Sequence, residues 1–318
     1  MKKKDIVSVI IPVYNRKDMI SDAVESVLSQ TYKDLEVVVI DDGSTDNTVE
    51  EIKKIKDPRI VLLKAEHKGP YHARNMGIKK SKGDFIAFLD SDDMWLPEKL
   101  EKQMKQFEKN KEVFLVFTDR FVFRDKNNDY SLENDVKTEE KKILNSHYKE
   151  LLKMNYIVTS SVVVKRQVFD DLGFFIEEKR GDLDYNMWLR VARKYKISYI
   201  SEPLVLYKVH EKRMTEKRLD RINDKKYVYE IEEKWCNENN LKEEIAIINK
   251  AKSEDLKEYF MNAFFTSRNR KKSFDMLMKS KKEVRNMSTL TWFLLLTAMP
   301  YSLTNSVKAL KNRFKHLF

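Results

Sequence analysis

Cysteine is nearly absent: Cys236 is alone in 318 residues. A single thiol closes no internal disulfide and cannot furnish a Cys-rich zinc module, so packing must hold the fold together in a reducing compartment. Glycine and proline number six each, too few for collagen-like or linker-rich architecture. No apolar run reaches the ~20 residues of a spanning helix. The longest, Trp292 to Met299, meets Pro300 and resumes only at Tyr301 and Leu303. Met1-Lys2-Lys3-Lys4 is basic, but the apolar run behind it ends at Pro12 without a cleavage site, which reads as a strand and not a signal peptide. Walker A, G-x-G-x-x-G, H-E-x-x-H and EF-hand patterns are all missing.

What is present suffices for a core. Hydrophobic residues make up 42% and aromatics 11%, which argues against wholesale disorder. At ~100–200 residues per domain, the length fits one large domain or two modest ones. The net charge is +11, and it is unevenly placed. Between Arg268 and Phe318, twelve Lys/Arg face only Asp275 and Glu283, so this tail holds ten of the eleven net charges. Such a tail implies an anionic partner. Within it, Val307, Leu310, Phe314 and Leu317 fall at helical spacing, with Lys308, Lys311, Arg313 and Lys315 on other faces. That pattern suits a helix lying in a membrane interface. An ordinary core-facing helix, or a nucleic-acid binder lacking any recognisable module, is the alternative.

Along the chain, β-branched runs alternate with helical periodicity. Strands are expected at 6–13, 35–40, 60–63, 85–89 and 113–117, and helices at 18–30, 48–55, 73–80 and 97–109. This alternation predicts a parallel, doubly wound α/β sheet with right-handed crossovers. Residues 125–150 are polar and are expected as a long surface excursion. Strand character resumes at 158–164, a helix follows at 185–195, and short strands at 197–200 and 204–209. From about residue 211 the chain is expected to be helical to its end, which divides it into 1–210 and a helical C-terminal region, 211–318.

Two acidic loops follow buried strands, where open α/β sheets bind ligands. Without a glycine cradle, a phosphate there calls for a bridging cation, and Mg²⁺ or Mn²⁺ often joins one or two carboxylates to phosphates. Asp90-x-Asp92 provides such a pair, although Asp92 or Asp93 could instead cap the helix near Pro97. Asp41-Asp42-Gly43-Ser44 reads either as an Asx-type turn before the next helix or as carboxylates that accept a hydrogen bond from a nucleobase or ribose.

In combination, Val7-Ser8-Val9-Ile10-Ile11-Pro12-Val13-Tyr14-Asn15-Arg16, Asp41-Asp42-Gly43-Ser44-Thr45-Asp46, Ala73-Arg74-Asn75-Met76-Gly77-Ile78 and Gly83-Asp84-Phe85-Ile86-Ala87-Phe88-Leu89-Asp90-Ser91-Asp92-Asp93 resemble a family 2 glycosyltransferase with the GT-A fold, over residues 5 to about 210. The resemblance implies an inverting transferase that moves a sugar from a nucleotide-diphosphate sugar, most often a UDP-sugar, to an acceptor hydroxyl. It implies Asp42 at the uracil ring with Asp41 beside it, Tyr14 bordering the base, and Arg74 and Asn75 at a helix start facing the nucleotide. Asp90 would lie near the ribose, and Asp92 would bind a divalent metal, Mn²⁺ or Mg²⁺. The family's base follows a Glu and precedes a W-L-R element. In Gly181-Asp182-Leu183-Asp184-Tyr185-Asn186-Met187-Trp188-Leu189-Arg190, Asp184 occupies the base position, and Leu183 replaces the Glu. Asp182 could substitute for that carboxylate, and Asp184 could alternatively be a helix N-cap. His210 matches a histidine near the diphosphate and metal. A sugar or lipid-linked sugar acceptor, and residence at the cytoplasmic face of a bacterial membrane through residues 268–318, complete the expectation. A catalytically silent nucleotide-sugar binder, or a sugar nucleotidyltransferase, is the competing reading.

Overall fold

The computed structural model describes residues 5–126, 129–134, 147–178, 182–209 and 218–266. The chain divides into two units, Met1–Lys217 and Arg218–Phe318.

In the first unit, β1 (Val7–Val13) is buried at every position. Side chains alternate across a strand, and both faces are covered by helices. Val7, Val9, Ile11 and Val13 pack with Ile20, Ala23, Val24 and Val27 of α1 (Ile20–Leu28) and with Leu100, Met104 and Phe107 of α4 (Lys99–Lys109). On the other face Ile10 meets α3 (Pro70–Lys80) at Gly77, where a Cβ would stand 2.8 Å from Ile10 Cγ2 and 2.6 Å from Ile40 Cδ1.

The remaining strands are β2 (Leu35–Asp41), β3 (Ile60–Lys64), β4 (Phe85–Phe88), β5 (Met94–Trp95), β6 (Val113–Lys126), β7 (Asp129–Asn134), β8 (Val163–Lys165) and β9 (Lys196–Val209). Their order is β3-β2-β1-β4-β8-β6-β9-β5, with β7 paired to β6. Followed outward from β1, the pairings set β1, β2, β3, β4, β6 and β9 in one direction and β5, β7 and β8 in the other. The sheet is therefore mixed but mostly parallel. The chain steps from β1 to β2 to β3, then returns to place β4 on the opposite side of β1. This reversal opens a crevice at the carboxyl ends of β1, β2 and β4.

The expected parallel core is present, including α2 (Thr48–Lys54). Long-range pairing changes the rest. β6 runs past Phe117 to Lys126 and forms a hairpin with β7, and α5 (His147–Lys153) buries His147, Tyr148, Leu151 and Leu152. The expected excursion thus contains a strand and a helix, because cross-strand partners override polar composition. The strand expected at 158–164 is a 3-10 turn, Thr159–Ser161, followed by the short β8. Consecutive hydroxyls favour local hydrogen bonds over a ladder, and the Ser161 hydroxyl donates to Val158 O at 2.7 Å. The two strands expected at 197–209 are one, β9. Pro203, which should break a central strand, falls opposite Asp119 at a register irregularity between β6 and β9. A short helix missing from the sequence reading, α6 (Gln167–Leu172), precedes α7 (Leu183–Lys194).

In the second unit, α8 (Arg218–Glu238) and α9 (Lys242–Thr266) are joined through Asn240, whose φ is +59°. Asp255 pairs with Lys225 Nζ at 2.8 Å and accepts the Tyr229 hydroxyl at 2.9 Å. No helix among the described residues is long and apolar enough to cross a membrane. The basic tail 268–318 lies outside them.

Candidate active site

The crevice is built from the loops that end the central strands. Asp41 closes β2 and accepts the Ser44 N–H at 3.1 Å, an arrangement that turns the loop sharply. Asp42 is 4% exposed. Its two oxygens accept the N–H groups of Lys68 and Gly69, at 3.0 and 2.9 Å. Gly69 has φ +99°, a region that favours glycine. Each Asp42 oxygen retains a second lone pair. The Tyr14 ring, at the end of β1, packs on the His67 ring at 4.1 Å between centroids and is 39% exposed. Next to it Asn15 accepts the Thr45 N–H at 2.8 Å, and the Arg16 N–H donates to the Thr48 hydroxyl at 2.8 Å. The β1 loop is therefore locked onto the β2 loop. The Arg16 guanidinium then approaches Asp92 to 4.0 Å.

After β4, ligand oxygens of Asp90, Asp92 and Asp93 come within 4.8 Å of one another. The three differ in their commitments. Asp93 is fully buried, and its oxygens accept the Ser160 hydroxyl (2.6 Å) and the Lys208 N–H (3.2 Å). Asp90 and Asp92 are half-buried. All-oxygen donors at this spacing suit a hard divalent cation, so the residues present fit Mg²⁺ or Mn²⁺. His210 lies outside the described residues.

Arg74, from α3, is buried and donates to Asp90 at 2.6 Å. Burial works against its charge, but Asp90, Tyr71 and Asp184 outweigh it, and the guanidinium pKa rises. Arg74 is thus the cation bonded to Asp90. Asn75, the next residue, holds Phe175 through both main-chain groups, Nδ2 to O at 2.8 Å and N–H to Oδ1 at 3.0 Å, and donates to Glu177 at 2.8 Å. Its amide therefore braces the segment that leads to α7.

Asp184 lies in the first turn of α7, one residue inside the helix and not at its cap. Carboxylates are favoured there by the helix dipole. It accepts the Thr159 hydroxyl at 2.5 Å and the Tyr185 N–H at 2.9 Å. Leu183 is fully buried, and its N–H donates to the Tyr71 hydroxyl at 2.9 Å. Burial, followed by Asp184, raises the Tyr71 pKa, so this phenol stays protonated. Asp182 precedes the helix with φ +55°.

The Thr159–Ser161 turn thus joins Asp90 and Asp93 to Asp184, Arg74 bonds Asp90, and Asp92 stands in the same carboxylate cluster. Asp41, Asp42 and Tyr14 stand on the adjoining loops, linked to Asp92 by Arg16. Arg16, Asp93, Thr159 and Ser160 were missed in the sequence reading. The only signal for the last two was three hydroxyl residues interrupting a β-branched run.

Comparison with known proteins identifies the family and the fold. A model of the family described as "Glycosyl transferase family 2" matches residues 8–173. The chain is 38% identical over 191 residues to an Escherichia coli UDP-Glc:alpha-D-GlcNAc-diphosphoundecaprenol beta-1,3-glucosyltransferase, WfaP, covering 60% of this chain and 71% of that protein. Among solved structures, S. aureus TarS 1-349 in complex with UDP-GlcNAc superposes with a TM-score of 0.61 at 20% identity, over 92% of this chain and 81% of that one. The mannosyltransferase PcManGT from Pyrobaculum calidifontis, in complex with GDP-Man and Mn²⁺, gives 0.59 at 16% identity, over 93% and 87%. These last two likenesses concern the GT-A fold. With its family model matched across more than half the chain, this protein belongs to glycosyl transferase family 2 and is a glycosyltransferase.

Proposed function

We propose that the chain transfers a sugar, with inversion, from a UDP-sugar to a hydroxyl of a lipid-linked sugar acceptor in bacterial surface-polysaccharide synthesis. The observation that carries this reading is the cluster of Asp90, Asp92 and Asp93, whose ligand oxygens lie within 4.8 Å of one another, with the buried Arg74 bonded to Asp90 at 2.6 Å. The Thr159–Ser161 turn links this cluster, fit for a metal, with Asp184, a separate carboxylate fit for a base.

In this reading Asp184 takes the proton from the acceptor hydroxyl as the new C–O bond forms. Thr159 and the Tyr185 N–H hold its oxygens in place. Asp42 offers its remaining lone pairs to the uracil imide N–H, Asp41 shapes the loop beside it, and the Tyr14–His67 pair borders the base. Asp90 lies towards the ribose and Asp92 is the principal cation ligand. A divalent cation held there supplies neutralisation of charge on the departing diphosphate. Asn75 acts by bracing residues 175–177. The lipid-linked acceptor draws support from the name of the E. coli relative and from the basic, amphipathic tail, which together favour the cytoplasmic face of a membrane.

The test is a donor screen: purified protein, Mn²⁺ and a panel of nucleotide sugars, scored by release of the nucleoside diphosphate. A UDP-sugar should be turned over, and Asp184→Asn should lower transfer at least a hundredfold, in line with general-base catalysis worth about 10²–10⁴, while UDP binding survives. Asp92→Ala should weaken Mn²⁺-dependent UDP binding. Transfer by Asp184→Asn near the wild-type rate would place the base elsewhere.

A further inference from the structure

The 3-10 turn Thr159–Ser161 is an unusual thing to bury. Its three hydroxyl residues are at most 4% exposed, and a buried hydroxyl left unpaired is destabilising. The Thr159 and Ser160 hydroxyls both have partners in the site. The Ser160 hydroxyl donates to Asp93 at 2.6 Å and accepts the Asp90 N–H at 3.1 Å. The Thr159 hydroxyl donates to Asp184.

The turn's main chain is pinned from three sides. Ser160 O accepts the Trp95 indole N–H at 2.7 Å. Ser161 O accepts Gln103 Nε2 at 2.9 Å, and the same amide donates to Val116 O at 2.8 Å. The Ser161 N–H closes onto Val158 O at 2.9 Å. β5, α4 and β6 therefore all fix one short piece of backbone. Ser160 grips the acidic cluster, and its neighbour Thr159 grips Asp184. The two hydroxyls hang from adjacent Cα atoms, about 3.8 Å apart, so the separation of the two acidic groups is set inside one peptide unit.

We propose that Thr159 and Ser160 are positioning residues that fix the cation cluster and the catalytic base relative to each other, Thr159 acting on Asp184 and Ser160 on Asp90 and Asp93. The proposal rests on the reading of Asp184 as the base. Misplacement by about 1 Å can cost a hundredfold in rate, and a threonine hydroxyl sits at the distance that controls it.

Two variants separate the roles. Thr159→Val keeps shape and removes the hydroxyl. It should lower kcat ten- to a hundredfold for the UDP-sugar turned over fastest in the donor screen, with KM and UDP affinity within twofold of wild type. Thr159→Ser should restore kcat to within about threefold, since the donor returns. Thr159→Ala, which cannot overpack, should repeat the loss. Ser160→Ala should weaken Mn²⁺ binding in the presence of UDP at least fivefold, read from the electron paramagnetic resonance signal of free Mn²⁺, which needs no turnover. Wild-type kcat in Thr159→Val and Thr159→Ala, alongside an inactive Asp184→Asn, overturns the positioning role while sparing the base. Equal impairment in Thr159→Ser and Thr159→Val, or unchanged Mn²⁺ affinity in Ser160→Ala, also overturns it. Full transfer by Asp184→Asn removes the base reading and this proposal together.

Discussion

Lys99 has no exposed surface, and its Nζ donates to Gln103 Oε1 at 2.8 Å while lying 3.8 Å from the Trp95 ring centroid. Burial pushes its pKa well below the ordinary lysine value, because an ammonium loses its hydration there. The unfolded chain binds a proton that the native lysine gives up, so between the lowered native pKa and the ordinary lysine range stability falls as pH falls. Lys99→Met has no proton to bind. Its melting temperature relative to wild type should therefore be higher at pH 7 than at pH 10, as thermal unfolding across pH would show; a constant difference would mean that Lys99 is charged in the fold. Nothing in the sequence separates this lysine from its solvated neighbours on α4. The same holds for Asp92 and Asp93, adjacent in the chain, where the second is spent on Ser160 and the Lys208 N–H. The spacing of carboxylates is legible in a sequence, but their burial and partners are not.

At the scale of elements, α3 shows how tightly a helix can be set against the sheet. Gly77 permits the approach that brings Arg74 and Asn75 to the crevice, and a methyl group there would meet Ile40 Cδ1 at 2.6 Å and Ile10 Cγ2 at 2.8 Å. Both isoleucines are fully buried, so the neighbours have little room to yield. Gly77→Ala should cost about 1–3 kcal/mol by overpacking, outweighing the better helix propensity of alanine. Urea unfolding would measure it, and an unchanged midpoint would show that α3 can shift outward. Elements whose signal is local were legible: β1, β2, β4, α1 and α4 follow from β-branched runs and helical periodicity. Elements that depend on a distant partner were not. β7 exists because β6 is beside it, β9 is continuous because the sheet absorbs Pro203 opposite Asp119, and the Thr159–Ser161 turn is held by Trp95 and Gln103.

For the molecule as a whole, the charge asymmetry makes the clearest prediction. If residues 268–318 meet a membrane surface, the full chain should co-sediment with vesicles containing anionic lipid and not with neutral ones. Retention should fall as salt rises, since the attraction is screened within about 8 Å at physiological ionic strength. Binding to duplex DNA of equal strength would instead mark a general polyanion surface. Residues close together in the chain already specify the family, the alternation that builds a mostly parallel sheet, the acidic loops at strand ends and the location of the excess charge. The three-dimensional arrangement was needed for Arg74 to meet Asp90, for Asn75 to brace Phe175, and for one turn to hold both acidic groups. Those partners are separated by up to 100 residues, and strand order and register, with β8 returning antiparallel between β4 and β6, are what bring them together.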